Sequence, residues 1–456
     1  MEPIRAHMIL AFTLALLLVG WGILLSPPFR ELRASIGLPT ELPGARYNPE
    51  VGAAEIISKD EEGAKFFLAR VAHYYHSLFA VLLYGMLAAF SSMRRDLIGL
   101  DILNISLIGV LFTIMGALIY SYVSRTFFWH GLFISGLSIL FSSGLLTLLR
   151  FKPSKTLDLA LIVALALLLG GGAIGAYVGS SYISEEVAEG FERAKILARF
   201  NPDLAEGNEI WRAMTGHLHV MVALATTITF LLGVYKIGIP DRRLAKVSIL
   251  LVIFGELVMA IASYSVWPFG KIAHLIITPA ALILIASTLI LSFIMSGYKF
   301  KESFKEPKGL LLWGLRLGNI WTWVFIALPG AIVAMSLRKP LFFNPEFRSE
   351  LWDWAELSYN IGHWHIILAL WGVMLLLIYL ADVRSKWASA SGWLSLIGML
   401  GATAATNLYM LANPPSSYSP NPYSNIWLST VVEPFLILMS IGIAASYVTF
   451  LMDSIK

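Results

Sequence analysis

The chain has 456 residues, of which 57% are hydrophobic and only 14% charged, and its mean hydropathy is +0.74. Soluble domains carry about 25% charged residues, so the composition is that of a polytopic membrane protein. There is no cysteine, which excludes disulfides, thiolate chemistry, iron–sulfur clusters and covalent c-type haem attachment, and the net charge of +4 sits in short loops and calls for no nucleic-acid partner.

About twelve apolar runs are long enough to span a bilayer. In chain order they cover 8–26, 68–92, 99–123, 127–149, 156–180, 213–236, 244–267, 271–298, 309–336, 359–382, 389–411 and 425–451. The first follows Arg5 as a signal peptide would, but Ser26-Pro27-Pro28 stands where a small-residue cleavage site would be, so a retained helix is expected. After it comes the phrase Tyr47-Asn48-Pro49-Glu50, and the second run then opens on His73 and His76, just after Arg70. The third run carries Asp101 and Asn104 toward one end, and the fourth opens on His130.

The same order returns twice. Phe200-Asn201-Pro202-Asp203 leads, through Arg212, to His217 and His219 at the head of the sixth run. Phe343-Asn344-Pro345-Glu346 leads to His363 and His365 at the head of the tenth. An aromatic-Asn-Pro-acid phrase alone is a turn and a helix start; three copies roughly 150 residues apart, each before a histidine pair, indicate a triplicated architecture. The repeat divides the chain at 1–152, 153–306 and 307–456, each unit holding four membrane helices. The long loops after each first helix have room for amphipathic surface helices, with suitable patterns at 185–197 and 347–357.

Loop charges alternate along the whole chain. Arg94 and Arg95, Arg150 with Lys152 and Lys155, Arg242 with Arg243 and Lys246, the lysines 299 to 308, and Arg384 with Lys386 fall on one side. Longer, acid-rich loops containing Glu185, Glu186, Glu189 and Glu192 fall on the other. The positive-inside rule then expects a plasma-membrane protein with both termini cytoplasmic and the three Asn-Pro loops outside.

Histidine inside a membrane needs a partner, a metal or a proton role. His130 and His274, each alone at a helix head, read first as interfacial anchors and only in reserve as ligands. The pairs are harder to set aside. Neighbouring helix residues are offset by about 100°, so a His-x-His pair aims its imidazoles about 160° apart and serves two centres, one on each face. His217 with His219 and His363 with His365 have this spacing; His73 and His76, three apart, share a face. Large apolar discs held by one imidazole from each of two helices fit an aromatic-rich bundle, which points to haem b. Zinc or copper alone would need three or four converging ligands, often with thiolate or carboxylate. Arg70 and Arg212 read either as partners of haem propionates or as interface anchors. Glu256, at mid-depth on helix seven, and Glu433, before Pro434 on helix twelve, are proton-relay candidates or hydrogen-bonded structural acids.

Twelve helices in three groups of four, with Gly362-His363-Trp364-His365-Ile366 on helix ten, resemble the catalytic subunit (subunit I) of the haem–copper oxidase superfamily, which includes the nitric oxide reductases. The resemblance implies that His363 ligates the central haem and His365 the low-spin haem. It further implies that His76 is the second low-spin ligand, and that His217 stands where the family gives its first ligand to copper or non-haem iron. The departures are specific. Helix seven, through Glu256-Leu257-Val258-Met259 and Ser263-Tyr264-Ser265, has no histidine where the family completes its copper site. His219 takes the place of the family's proton-loading glutamate, and the helix-eight lysine is not evident.

A member without copper is therefore expected, with two or three haems b. Three interfaces between the second helices would pair His76 with His365, His217 with His363 and His73 with His219. The expected function is electron transfer between a quinol or cytochrome partner and an outer acceptor, with companion subunits. Two alternatives stand beside it. One is a divergent oxygen or nitric oxide reductase with one open haem, and the other is a twelve-helix proton-coupled transporter.

Overall fold

The computed structural model describes residues 2–25, 30–36, 45–48, 53–56, 61–124, 126–197, 205, 207–240, 243–329, 366–412 and 428–455. A segment in hydrocarbon must satisfy its backbone N–H and C=O groups internally, and the apolar runs do so as α-helices. These are α1 (Pro3–Leu25), α3 (Glu61–Met93), α4 (Leu100–Tyr122), α5 (Phe127–Arg150), α6 (Thr156–Ser180), α8 (Glu209–Ile237), α9 (Arg243–Phe269), α10 (Lys271–Ile294), α11 (Pro307–Thr322), α12 (Ile366–Leu380), α13 (Lys386–Ala412) and α14 (Glu433–Ile455). A π-helical turn, Trp323–Ala327, prolongs α11, and another, Leu428–Val432, precedes α14. Among the described residues, eleven segments are long and apolar enough to cross a membrane, and α12 is a shorter apolar helix inside the expected tenth span. The protein is a multi-pass helical membrane protein.

Two short helices, α2 (Arg30–Ser35) and α7 (Glu185–Leu197), lie in connections. The second is the amphipathic surface helix the sequence leads one to expect. The first long loop also holds something the sequence reading did not foresee, an antiparallel hairpin of β1 (Ala45–Asn48) and β2 (Ala53–Ile56). In its register Arg46 lies opposite Glu55 and Tyr47 opposite Ala54. The other two Asn-Pro phrases, and the surface helix expected at 347–357, lie outside the described residues.

The chain divides into two compact units, Met1–Arg150 with Ala176–Trp211, and Phe151–Gly175 with Arg212–Lys456. In the first, α3 packs on α1 and α4, and α4 packs on α5. The α4–α5 contact is made by absent side chains: a Cβ on Gly136 would overlap the backbone nitrogen of Thr113, and one on Gly116 would land in the backbone of Phe133. Lipid is as apolar as leucine, so close backbone approach through small residues supplies the attraction. At the other end of these helices Arg150 meets Asp101 at 2.6 Å, Arg95 pairs with Glu2, and Arg94 forks onto Asp96 at 2.9 and 2.7 Å. The hydrogen bond from Arg94 holds the exposed Asp96 carboxyl below the usual carboxylate range.

In the second unit α10 packs on α9 and α11, and α13 on α11 and α14. Glycines again set the closest approaches. A Cβ on Gly255 would sit 3.1 Å from the Leu284 backbone, and Gly398, Gly401 and Gly442 let α13 and α14 meet. Gly314 and Gly318 of α11 receive Leu377, Leu370 and Met374 of α12. The start of α6 is capped by the fully buried Asp158, whose Oδ2 accepts from the Ser154 N–H (3.0 Å), the Ser154 hydroxyl (2.7 Å) and the Lys155 N–H (3.2 Å). Lys236, at the end of α8, pairs with Asp382.

Candidate functional site

In the first unit His73 and His76 of α3 gather with His130 where α4 ends and α5 begins, the end opposite the arginine–aspartate pairs. His73 is buried, with ring centroids 4.7 Å from Phe133, 5.1 Å from Tyr120 and 5.9 Å from His130. His130 lies 5.1 Å from Tyr120 and 5.7 Å from Tyr182, and its buried Nδ1 has no hydrogen-bond partner among the described residues. His76 meets Phe133 edge-on at 5.6 Å. Phe133 thus stands among three imidazoles. Among the described residues no group of three or more His, Asp or Glu side chains converges as a metal site. The structure therefore brings His73 to His130, an adjacency that the sequence spacing did not indicate.

Below this cluster, α3 carries a buried polar line. Ser77, Tyr84 and Ser91 follow His73 at intervals that return to one helix face, and all three are fully buried. Tyr84 is bonded at 2.6 Å to Nδ1 of the buried His7 from α1. The Ser77 hydroxyl has no hydrogen-bond partner among the described residues, and Ser91 donates to the Ile98 carbonyl at 2.7 Å.

In the second unit the head of α8 carries His217 and His219. Nδ1 of His217 is 2.8 Å from the Gly171 carbonyl of α6, and Nδ1 of His219 is 2.7 Å from the Thr215 carbonyl of its own helix. A carbonyl only accepts, so each Nδ1 carries the proton and each Nε2 carries the lone pair. That tautomer is the one a metal-ligating imidazole adopts when its other nitrogen is held by a backbone carbonyl. The His217 ring lies where a Cβ on Gly175 would be, while the bare Gly171 leaves room for Val220 and Met221 of the same helix. The sequence signal for that position was Gly175 itself, since glycine is costly inside a helix unless something approaches closely. Gly216 likewise lets α8 approach the Ser263 carbonyl of α9, and Arg212 Nε donates to the Trp267 carbonyl at 2.9 Å.

Glu256 sits on the buried face of α9 with no exposed surface, and neither carboxylate oxygen has a hydrogen-bond partner among the described residues. Full burial without a partner is costly for an acid and needs a functional account. Glu433 opens α14, partly buried. Arg70 and His274 belong to α3 and α10, and their side chains lie outside the described residues, as do His363 and His365 altogether.

No protein-family model, curated protein or solved structure matches this chain.

Proposed function

We propose that the protein is a haem b electron-transfer protein of the membrane, akin to subunit I of the haem–copper oxidases but without the copper site. His76, His217, His363 and His365 are the ligands of two haems, and His219 is the ligand available for a third. Bound haem would supply one-electron exchange; the residues supply its berth. The observation that carries this reading is that Nδ1 of His217 and Nδ1 of His219 each lie on a backbone carbonyl, the tautomer in which Nε2 is the nitrogen able to ligate iron. His73, set beside His130 and Phe133, is the pair member this reading uses least.

Electrons would pass between a quinol or cytochrome partner and an acceptor at the outer face, with both termini in the cytoplasm of a plasma-membrane protein. Three units of four helices are the proposed plan. Its support is that the third and fourth helices of each, α4–α5, α9–α10 and α13–α14, pack closely on one another, with glycines at the contact. Glu256 and Glu433 are the proton-relay groups. A pyridine haemochrome assay on the purified chain is expected to give two or three haems b, with no stoichiometric carbon monoxide binding by the reduced protein. One haem per chain, or an equivalent of carbon monoxide, would overturn the electron-transfer reading in favour of a gas reductase.

The isolation of Glu256 favours a second reading, a proton-coupled transporter. It predicts no haem absorbance and solute uptake that Glu256→Gln abolishes.

A further inference from the structure

The connection between α10 and α11 is short, ordered and unlike an ordinary loop. The chain leaves α10, turns at Gly297 with φ +127°, a conformation that favours glycine, and forms a 3₁₀ turn, Phe300–Phe304. The turn is locked by the Lys299 N–H donating to Glu302 Oε2 at 2.7 Å and by Trp393 Nε1 donating to the Ser303 carbonyl at 3.1 Å. Phe304 stacks on Trp393 at 5.0 Å and 16°, and Phe300 meets Trp313 at 5.0 Å. Arg316 lies over Trp313 at 4.7 Å and reaches back to the Ser292 and Met295 carbonyls at 3.1 and 2.7 Å, closing the end of α10.

Two features of this rigid turn are left facing outward. Phe300 and Phe304 remain 45% and 52% exposed although each has a tryptophan behind it. Around them stand Lys299, Lys301 and Lys305, all exposed, and the half-buried Lys308. The acids among them are Glu302, engaged in the turn, and Glu306, which leaves the segment net positive. Both flanking helices are membrane spans, so the segment sits at the level of lipid headgroups. Aromatic rings backed by tryptophan and ringed by lysines match a headgroup that is anionic above and apolar below.

We propose that this turn is a binding site for an anionic phospholipid, the lysines holding the phosphate and the two phenylalanine rings lying along the acyl chains. A free anion would gain nothing from the phenylalanines, and a zwitterionic lipid would gain less from the lysines. The site is independent of haem, so its test does not share an outcome with that of the electron-transfer reading.

The full chain, purified and delipidated in detergent, is titrated with phosphatidylglycerol, phosphatidylcholine or inorganic phosphate while its unfolding temperature is followed. Phosphatidylglycerol is expected to raise that temperature in a salt-sensitive way and phosphatidylcholine to raise it far less. The variant Lys299→Gln/Lys301→Gln/Lys305→Gln alters only exposed side chains and is expected to bind phosphatidylglycerol at least tenfold more weakly. Phe304→Ala should weaken lipid binding while sparing salt sensitivity. Retention of the phosphatidylglycerol preference by the triple variant overturns the proposal, as does an equal response to phosphatidylcholine or to inorganic phosphate. If the triple variant fails to fold, Lys301→Gln alone carries the same comparison, and an unchanged affinity in it overturns the site.

Discussion

Gly175 is a residue whose lack of a side chain is needed by another residue. Its missing Cβ is the space in which the His217 ring lies, so Gly175→Ala must push the imidazole away from the Gly171 carbonyl. Haem content per chain, read by the haemochrome assay, is expected to fall in Gly175→Ala and to stay at the wild-type value in Gly131→Ala, where nothing lies within 4 Å of the new methyl. Glu256→Gln keeps shape and removes the ionisable group, so folding should survive while proton-coupled turnover in proteoliposomes is lost. Asp96 gives a titration with a definite sign. Its folded carboxyl is held low by Arg94, so the pair's stabilisation is present above the unfolded value of about 4 and is lost as pH falls through the folded one. Arg94→Gln should remove that acid-side loss from thermal unfolding curves, by a small amount because the pair is exposed.

Among the elements, the helix pairs show which parts of the fold were legible. Runs of apolar residues fixed eleven long helices to within a few residues at most ends, because burial in hydrocarbon leaves a helix as the only answer. The head of α3 begins seven residues earlier than the apolar run at 68, since Glu61 to Phe67 continue the helix without continuing its hydropathy. The hairpin at Ala45–Ile56 was not legible: its strands alternate poorly, and the Arg46–Glu55 pairing becomes visible only in register. The neighbourhood of His130 was hidden for a related reason. Tyr120 of α4 and Tyr182, in the connection after α6, reach it from outside α5, and contacts between elements leave no local period. Packing of α4 on α5 makes its own prediction. Gly136→Ala, which would collide with the Thr113 backbone, should destabilise the protein by about 1–3 kcal/mol, as overpacking does, measured as a lowered unfolding temperature.

For the molecule as a whole, composition and hydropathy suffice to make it a multi-pass membrane protein, and the histidine pairs at the heads of its helices supply the chemical hypothesis. Two of those histidines present the tautomer that suits a haem ligand, while His73 turns toward His130 and an aromatic cluster. For the proposed electron-transfer function the decisive quantity is therefore the haem content per chain. A pyridine haemochrome assay set against protein concentration, on the purified full chain, is predicted to give at least two haems b, with one lost in His217→Ala. A haem-free protein, or a stoichiometry that His217→Ala leaves unchanged, would contradict it.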